Sequence, residues 1–130
     1  MNEDLARRAV ACKHWRWMPG MRAIDSDGQA VRVVQASGAA VLEDVGGAAY
    51  PMPSTPPDLD DPATLGCLLA LVREAWNQPH AAAAMSGFGW GVYTFVTNGI
   101  VGDEPTITGR YDNGYYTEAE ALVAALEAAP

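Results

Sequence analysis

Basic residues are scarce in this 130-residue chain: 8 Lys and Arg stand against 16 Asp and Glu, for a formal net charge of −8. A protein that grips duplex DNA by its phosphates needs a positive surface that releases counterions, so the balance argues against direct duplex DNA binding. The chain has only 2 cysteines, too few for a disulfide scaffold. Histidine is equally rare, as His14 and His80, and no His-x-x-x-His or Cys-x-x-Cys pair offers zinc-ligand spacing. The long uncharged stretch between Glu74 and Asp103 contains no leucine and is interrupted by Asn77, Gln78, Pro79 and the glycines Gly87, Gly89 and Gly91. Such a stretch inserts poorly into lipid, and no membrane association is expected. The opening Met1-Asn2-Glu3-Asp4 is acidic, whereas a secretion signal opens with bases and a Leu-rich run, so an intracellular protein is expected.

What is present is a globular composition. At 49% hydrophobic and 18% charged, the chain has enough apolar material for a core. A domain this size buries roughly two thirds of its unfolded surface without metals or cross-links. One domain over residues 1–130 is expected, with a Pro-rich loop at 46–62.

Asn2 followed by Glu3, Asp4 and Leu5 reads as a capped helix start. Leu5, Ala9 and Cys12, flanked by Ala6 and Val10, form its apolar stripe, and the helix is predicted to end near His14 before Pro19-Gly20. Met21 to Asp25 and Ala30 to Gln35 flank Ser26-Asp27-Gly28-Gln29, a hairpin signal, with a weaker strand over 40–45. Residues 46–62 hold 5 of the 9 prolines and predict an extended, solvated loop without secondary structure. Asp61-Pro62 is a helix start with Asp as N-cap. Leu65, Leu68, Leu69, Val72 and Trp76 repeat at helical spacing, widened by Leu71 and Ala75, until Asn77-Gln78-Pro79. From Phe88 the period is two, with Phe88, Trp90, Val92, Thr94 and Val96 on one face. Asn98-Gly99 turns the chain, and either Ile100-Val101 or Thr106-Ile107-Thr108 returns as partner strand. After the turn at Asp112-Asn113-Gly114, the capping box Thr117-Glu118-Ala119-Glu120 opens a last helix with Leu122, Val123 and Leu126 on its apolar face. The expected fold is α+β, three helices with a small antiparallel sheet built from hairpins.

The sequence carries no catalytic constellation of good specificity, and catalytic residues, metal ligands and cofactors are each predicted as none. Gly87-Phe88-Gly89-Trp90-Gly91 lacks the Lys-Ser/Thr of a phosphate loop and leads into a strand, so its glycines read as close backbone approach. Cys12 and Cys67 read as small core residues. The acids Glu3-Asp4, Glu43-Asp44, Asp58/Asp60/Asp61 and Asp103-Glu104 fall in caps and loops and are expected to be solvated.

Two segments stand out as binding surfaces. Lys13 to Arg22 gathers Lys13, His14, Arg16 and Arg22 with Trp15 and Trp17. Residues 1–35 carry 6 bases and 4 acids while residues 36–130 carry 2 and 12, so charge is segregated along the chain. Aromatic plus basic is the composition that stacks bases and neutralises phosphates. The plainer reading puts Trp15 and Trp17 on one strand face over the core. The second segment is Arg110, Tyr111, Tyr115 and Tyr116, since tyrosines near turns favour interfaces, with packing of the last helix as the alternative. The candidate ligand- or partner-binding residues are therefore Trp15, Arg16, Trp17, Arg22, Arg110, Tyr111, Tyr115 and Tyr116.

Three stretches carry a resemblance: Leu5 to Cys12 with Trp17-Met18-Pro19-Gly20-Met21, then Pro57 to Leu69 with Asp-Pro-Ala-Thr-Leu-Gly-Cys-Leu-Leu, and Thr117-Glu118-Ala119-Glu120-Ala121-Leu122. Together they resemble small tailed-phage and prophage accessory proteins, over the first 25 residues, the central helix and the last helix. The resemblance brings no catalytic residues. It implies a phage gene product in the cytoplasm of the bacterial host, of a kind that often modifies the host and inhibits its defences. The leading expectation is a non-enzymatic protein that binds a host protein. The rivals are a sponge for a small phosphate-bearing ligand, or small nucleotide-handling enzyme, and a minor virion structural or assembly protein. A homo-oligomer is also expected, because many apolar residues must be covered by few charged ones.

Overall fold

A computed structural model describes residues 3–24, 28–35, 41–43, 49–51, 56–87, 89–93, 106–108 and 114–130. Among them the chain is α+β, with three helices, a four-stranded and a three-stranded antiparallel sheet. It divides into two compact units, Met1–Ala11 with Trp15–Cys67, and Cys12–His14 with Leu68–Pro130.

In the first unit, α1 (Glu3–Ala11) places its two acids in the first turn, facing the positive end of the helix dipole. Leu5, Ala6 and Ala9 are its buried face. The helix stops short of His14, leaving Cys12 beyond it, and Val10 is 41% exposed rather than part of the apolar stripe. The hairpin forms as predicted. β1 (Arg22–Ile24) and β2 (Ala30–Gln35) pair in the register Arg22↔Arg32, Ala23↔Val31, Ile24↔Ala30. Gly28 has φ +79, a value that glycine adopts without strain, and residues 25–27 lie outside the described residues. Met21, Ala23, Val31 and Val33 are buried on one face, while Val34 on the other is exposed.

β2 pairs with β3 (Val41–Glu43), and β3 with β4 (Ala49–Pro51). β4 falls inside the stretch 46–62 that composition had predicted to be strandless. Val41↔Pro51 is the final pair of β3 with β4, so proline sits where a strand ends and its missing N–H costs little. The end of the same stretch also departs from the solvated loop expected. Residue Pro57 forms a bridge with Ala23, and Leu59 is 3% exposed. Backbone bonds from Asp58 N to Arg22 O (2.8 Å) and Ile24 N to Pro56 O (3.3 Å) lay this segment along the outer edge of β1.

α2 (Pro62–Ala75) begins after Asp61 as predicted, with Leu65 N bonded to Asp61 O at 3.0 Å. Its most buried residues are Thr64, Leu68, Leu71 and Val72, so the covered face is rotated from the predicted stripe, leaving Leu65, Leu69 and Trp76 half-buried. At its end Asn77 takes φ 52, Gln78 N bonds to Arg73 O at 2.9 Å and Asn77 N to Glu74 O at 3.1 Å, a Schellman closure.

The second unit contains a strand that the sequence did not announce, β5 (Ala82–Ser86). Alanine has little strand preference, and this run is held by its neighbours rather than by propensity. It pairs with β6 (Gly89–Tyr93) in the register Ser86↔Gly89 through Ala82↔Tyr93, and β6 pairs with β7 (Thr106–Thr108), the second of the two predicted partners. The remainder of the predicted strand, Phe88 and Thr94 to Thr97, lies outside the described residues, as do the Asp112-Asn113 turn and the Asn2 cap. α3 (Glu118–Ala128) packs on β5, β6 and β7. Leu122, Val123 and Leu126 are its buried face as predicted, completed by three buried alanines at 119, 121 and 125, with the C-cap Ala129 buried just beyond. Trp76 Nε1 donates to Ala125 O at 2.8 Å. No helix among the described residues is long and apolar enough to cross a membrane.

Candidate functional site

Trp15 and Trp17 do not share a strand face. They lie in irregular backbone, half-buried, with ring centroids 5.4 Å apart and planes at 83°. Edge-to-face contact satisfies the rings with each other and leaves no pair of parallel faces for a base to enter. Trp15 Nε1 is buried with no hydrogen-bond partner among the described residues. Arg16 between them is exposed.

Arg22 has a different place from the ligand-facing one expected. Its Nε stands 3.5 Å from Asp58 Oδ2, an ion pair without hydrogen-bond geometry. Its backbone N–H donates to Thr64 Oγ1 at 2.9 Å. Opposite it across the hairpin, Arg32 donates from Nη1 to Asp61 Oδ2 at 2.9 Å and to Gly20 O at 2.8 Å. Two like charges directly opposed on neighbouring strands repel, and the two aspartates offset that repulsion.

Asp58 and Asp61 are 7% and 8% exposed, which corrects the expectation that these acids are solvated. Asp61 Oδ2 accepts three bonds: from Arg32, from Thr64 N at 3.0 Å and from Thr64 Oγ1 at 2.9 Å. The N-cap was legible as Asp61-Pro62; its partners were not, because Arg22 and Arg32 arrive from a hairpin far away in sequence. Burial raises the Asp61 carboxyl, but the bonds from Arg32 and Thr64 and the Arg32 charge outweigh it and hold the pKa below the ordinary value. A depressed folded pKa gives stability that is present above the unfolded value and lost as pH falls through the folded one. Acid unfolding is accordingly expected to steepen below about pH 4, where unfolded aspartate titrates. Asp61→Asn is expected to flatten that limb in a pH series of urea melts.

Cys12 and Cys67 are half-buried thiols, not joined in a disulfide, rather than core residues. Cys67 Sγ lies 3.7 Å from Pro19 O as a weak donor. Burial pushes the thiol up, the Asp61 carboxylate adds to this and Arg32 opposes it. A raised thiol is the reverse of what a nucleophilic cysteine needs. His14 Nε2 is 2.8 Å from Pro130 O, and His80 is exposed. Among the described residues no three His, Cys, Asp or Glu side chains gather as metal ligands. This acidic–basic cluster therefore acts as a clamp, tying the hairpin to the start of α2, with its polar atoms turned on one another.

The tyrosine segment is arranged otherwise. Tyr115 bridges Trp90, with Trp90 N to Tyr115 O at 2.7 Å and Tyr115 N to Trp90 O at 2.9 Å. Since Trp90 also opposes Met85, the side chains of Met85, Trp90 and Tyr115 form one row across the sheet. Met85 is 64% exposed and Tyr116 is 94% exposed. Tyr116 is fixed at its backbone, where its N–H meets Glu120 Oε2 at 3.3 Å. The capping box thus closes one residue early: Glu120 N bonds to Thr117 Oγ1 at 3.1 Å, but the glutamate returns to Tyr116 rather than Thr117. Arg110 and Tyr111 lie outside the described residues. Compared with protein-family models, curated proteins and solved structures, the chain has no match in any of the three.

Proposed function

We propose that this is a non-enzymatic phage accessory protein that acts in the bacterial cytoplasm by binding a host protein, with inhibition of an antiviral defence as its most concrete form. The observation that carries the reading is Tyr116, a large amphipathic ring left 94% exposed on backbone tied to a helix cap. A rigid exposed tyrosine loses little entropy on docking and gains much area, which is why such residues anchor protein interfaces. The half-buried Trp90 and Tyr115, paired with each other, supply further apolar surface. Of the two arginines expected around a phosphate-bearing ligand, Arg16 and Arg22, Arg22 faces Asp58 instead, which weighs against the nucleotide reading. The phage context comes from the sequence resemblance.

The test is capture of a host protein from lysate, its identification, and calorimetry of the purified pair. Tyr116→Ala is expected to weaken that affinity about tenfold or more, with the circular dichroism spectrum unchanged. An unaltered affinity, or heat from a panel of nucleotides and none from any host protein, overturns the reading.

A further inference from the structure

The backbone of β5 carries an inference independent of the host-protein reading. Trp90 directs both its N–H and its C=O to Tyr115, so neither faces β5. Its cross-strand partner Met85 is therefore in a non-hydrogen-bonded position toward β6. Backbone groups alternate in direction along an antiparallel strand, so Ala82, Ala84 and Ser86 bond to β6 while Ala83 and Met85 direct theirs to the outer edge. Among the described residues β5 is an edge of its sheet, and none of them bonds to Ala83 or Met85 on that side.

Among the described residues, both edges of the four-stranded sheet are guarded. The outer edge of β1 is covered by Pro56 to Asp58, and β4 ends in Pro51, which has no N–H to offer. β5 has none of the usual guards: no proline, no lysine and no bulge in its register with β6.

We propose that the outer edge of β5 pairs antiparallel with β5 of a second copy of this chain, about a two-fold axis at Ala84. In that register Ala83 opposes Met85 of the copy on both sides of the axis, giving four N–H···O=C bonds. Lengthening the ladder backward past Ala82 is barred, because Ala81 already donates to Gln78 O at 3.1 Å and accepts from Arg73 Nε at 2.7 Å. Charge selects the occupant. A two-fold contact brings two identical strand edges together, and in a chain of net charge −8 a charged edge would repel its copy. Ala82-Ala83-Ala84-Met85-Ser86 has no charge to repel, and its alanines let two strands approach to about 4.8 Å. Met85, now 64% exposed, then lies beside Ala83 of the copy and is covered.

The full chain is tested by light scattering over a concentration series from about 10 μM to 1 mM, the span of weak, small interfaces. The expected result is a mass rising from 13.8 kDa toward twice that value. Met85→Lys, a guard placed on the edge at an exposed site, is expected to raise the dissociation constant at least tenfold while leaving the dichroism spectrum unchanged. Register is read by cross-linking in a Cys12→Ser/Cys67→Ser background. Ala84→Cys sits opposite itself at about 4.5 Å between Cα atoms and is expected to oxidise to a disulfide dimer. Ala82→Cys, about 13 Å from its own copy, is not. A monomer at every concentration, an unaffected Met85→Lys dimer, or cross-linking at 82 as fast as at 84 overturns the proposal.

Discussion

Gly89→Ala is expected to destabilise the fold by about 3–5 kcal/mol, combining backbone strain with loss of two bridging hydrogen bonds. Gly89 has φ +122, a region closed to residues with a Cβ. A Cβ built there lies 2.6 Å from the Tyr115 backbone oxygen and 3.0 Å from Gly114 C. Neither atom yields cheaply, because Tyr115 is held by the paired bonds to Trp90 at 2.7 and 2.9 Å. The measurement is urea unfolding of both proteins. A useful contrast is Gly66→Ala, within α2, where an added Cβ meets nothing within 4 Å. That change is expected to stabilise by about 0.5–1 kcal/mol through helix propensity. Equal small effects at both positions would mean that Gly89 is not pressed against the Tyr115 backbone.

Asp61→Ala is the second large effect, expected at about 2–4 kcal/mol. The substitution removes the α2 cap, leaves the Thr64 hydroxyl without its acceptor and strips Arg32 of its counter-charge. Arg32 is 44% exposed and water recovers part of the loss, which keeps the figure below that of a fully buried pair. Asp61→Asn retains a capping oxygen and is expected to cost about half as much. Thermal melts of the two variants at pH 7 rank them. Equal losses would mean that the ion pair, and not the cap, dominates, and no loss would remove the clamp from the account.

Local signals carried most of the fold. Asp61-Pro62 and Thr117-Glu118-Ala119-Glu120 located two helix starts because a cap is a matter of a few adjacent residues. Gly28 marked the hairpin for the same reason. What escaped was set by distant partners. Ala82–Ser86 has no strand signature and is a strand because Gly89–Tyr93 offers it a ladder. Ala49–Pro51 reads as coil until β3 is placed beside it. The burial of Asp58 and Asp61 follows from two arginines on a hairpin, and neither side of that pairing is visible in its own neighbourhood. Of the residues expected to bind, Tyr116 is exposed as a binding surface requires, Arg22 is engaged by Asp58, and Trp15 and Trp17 contact each other.

The start of α2 is tied to groups remote in the chain: Thr64 is 42 residues from Arg22, and Asp61 is 29 from Arg32. A helix stopped locally by its own cap can nucleate alone, but this one lacks full support until the hairpin has arrived. Closing so wide a loop costs entropy before any bond compensates it. The first turn of α2 is thus expected to be completed late in folding, so that substitutions there chiefly quicken unfolding and leave the refolding rate nearly unchanged, as stopped-flow kinetics would show.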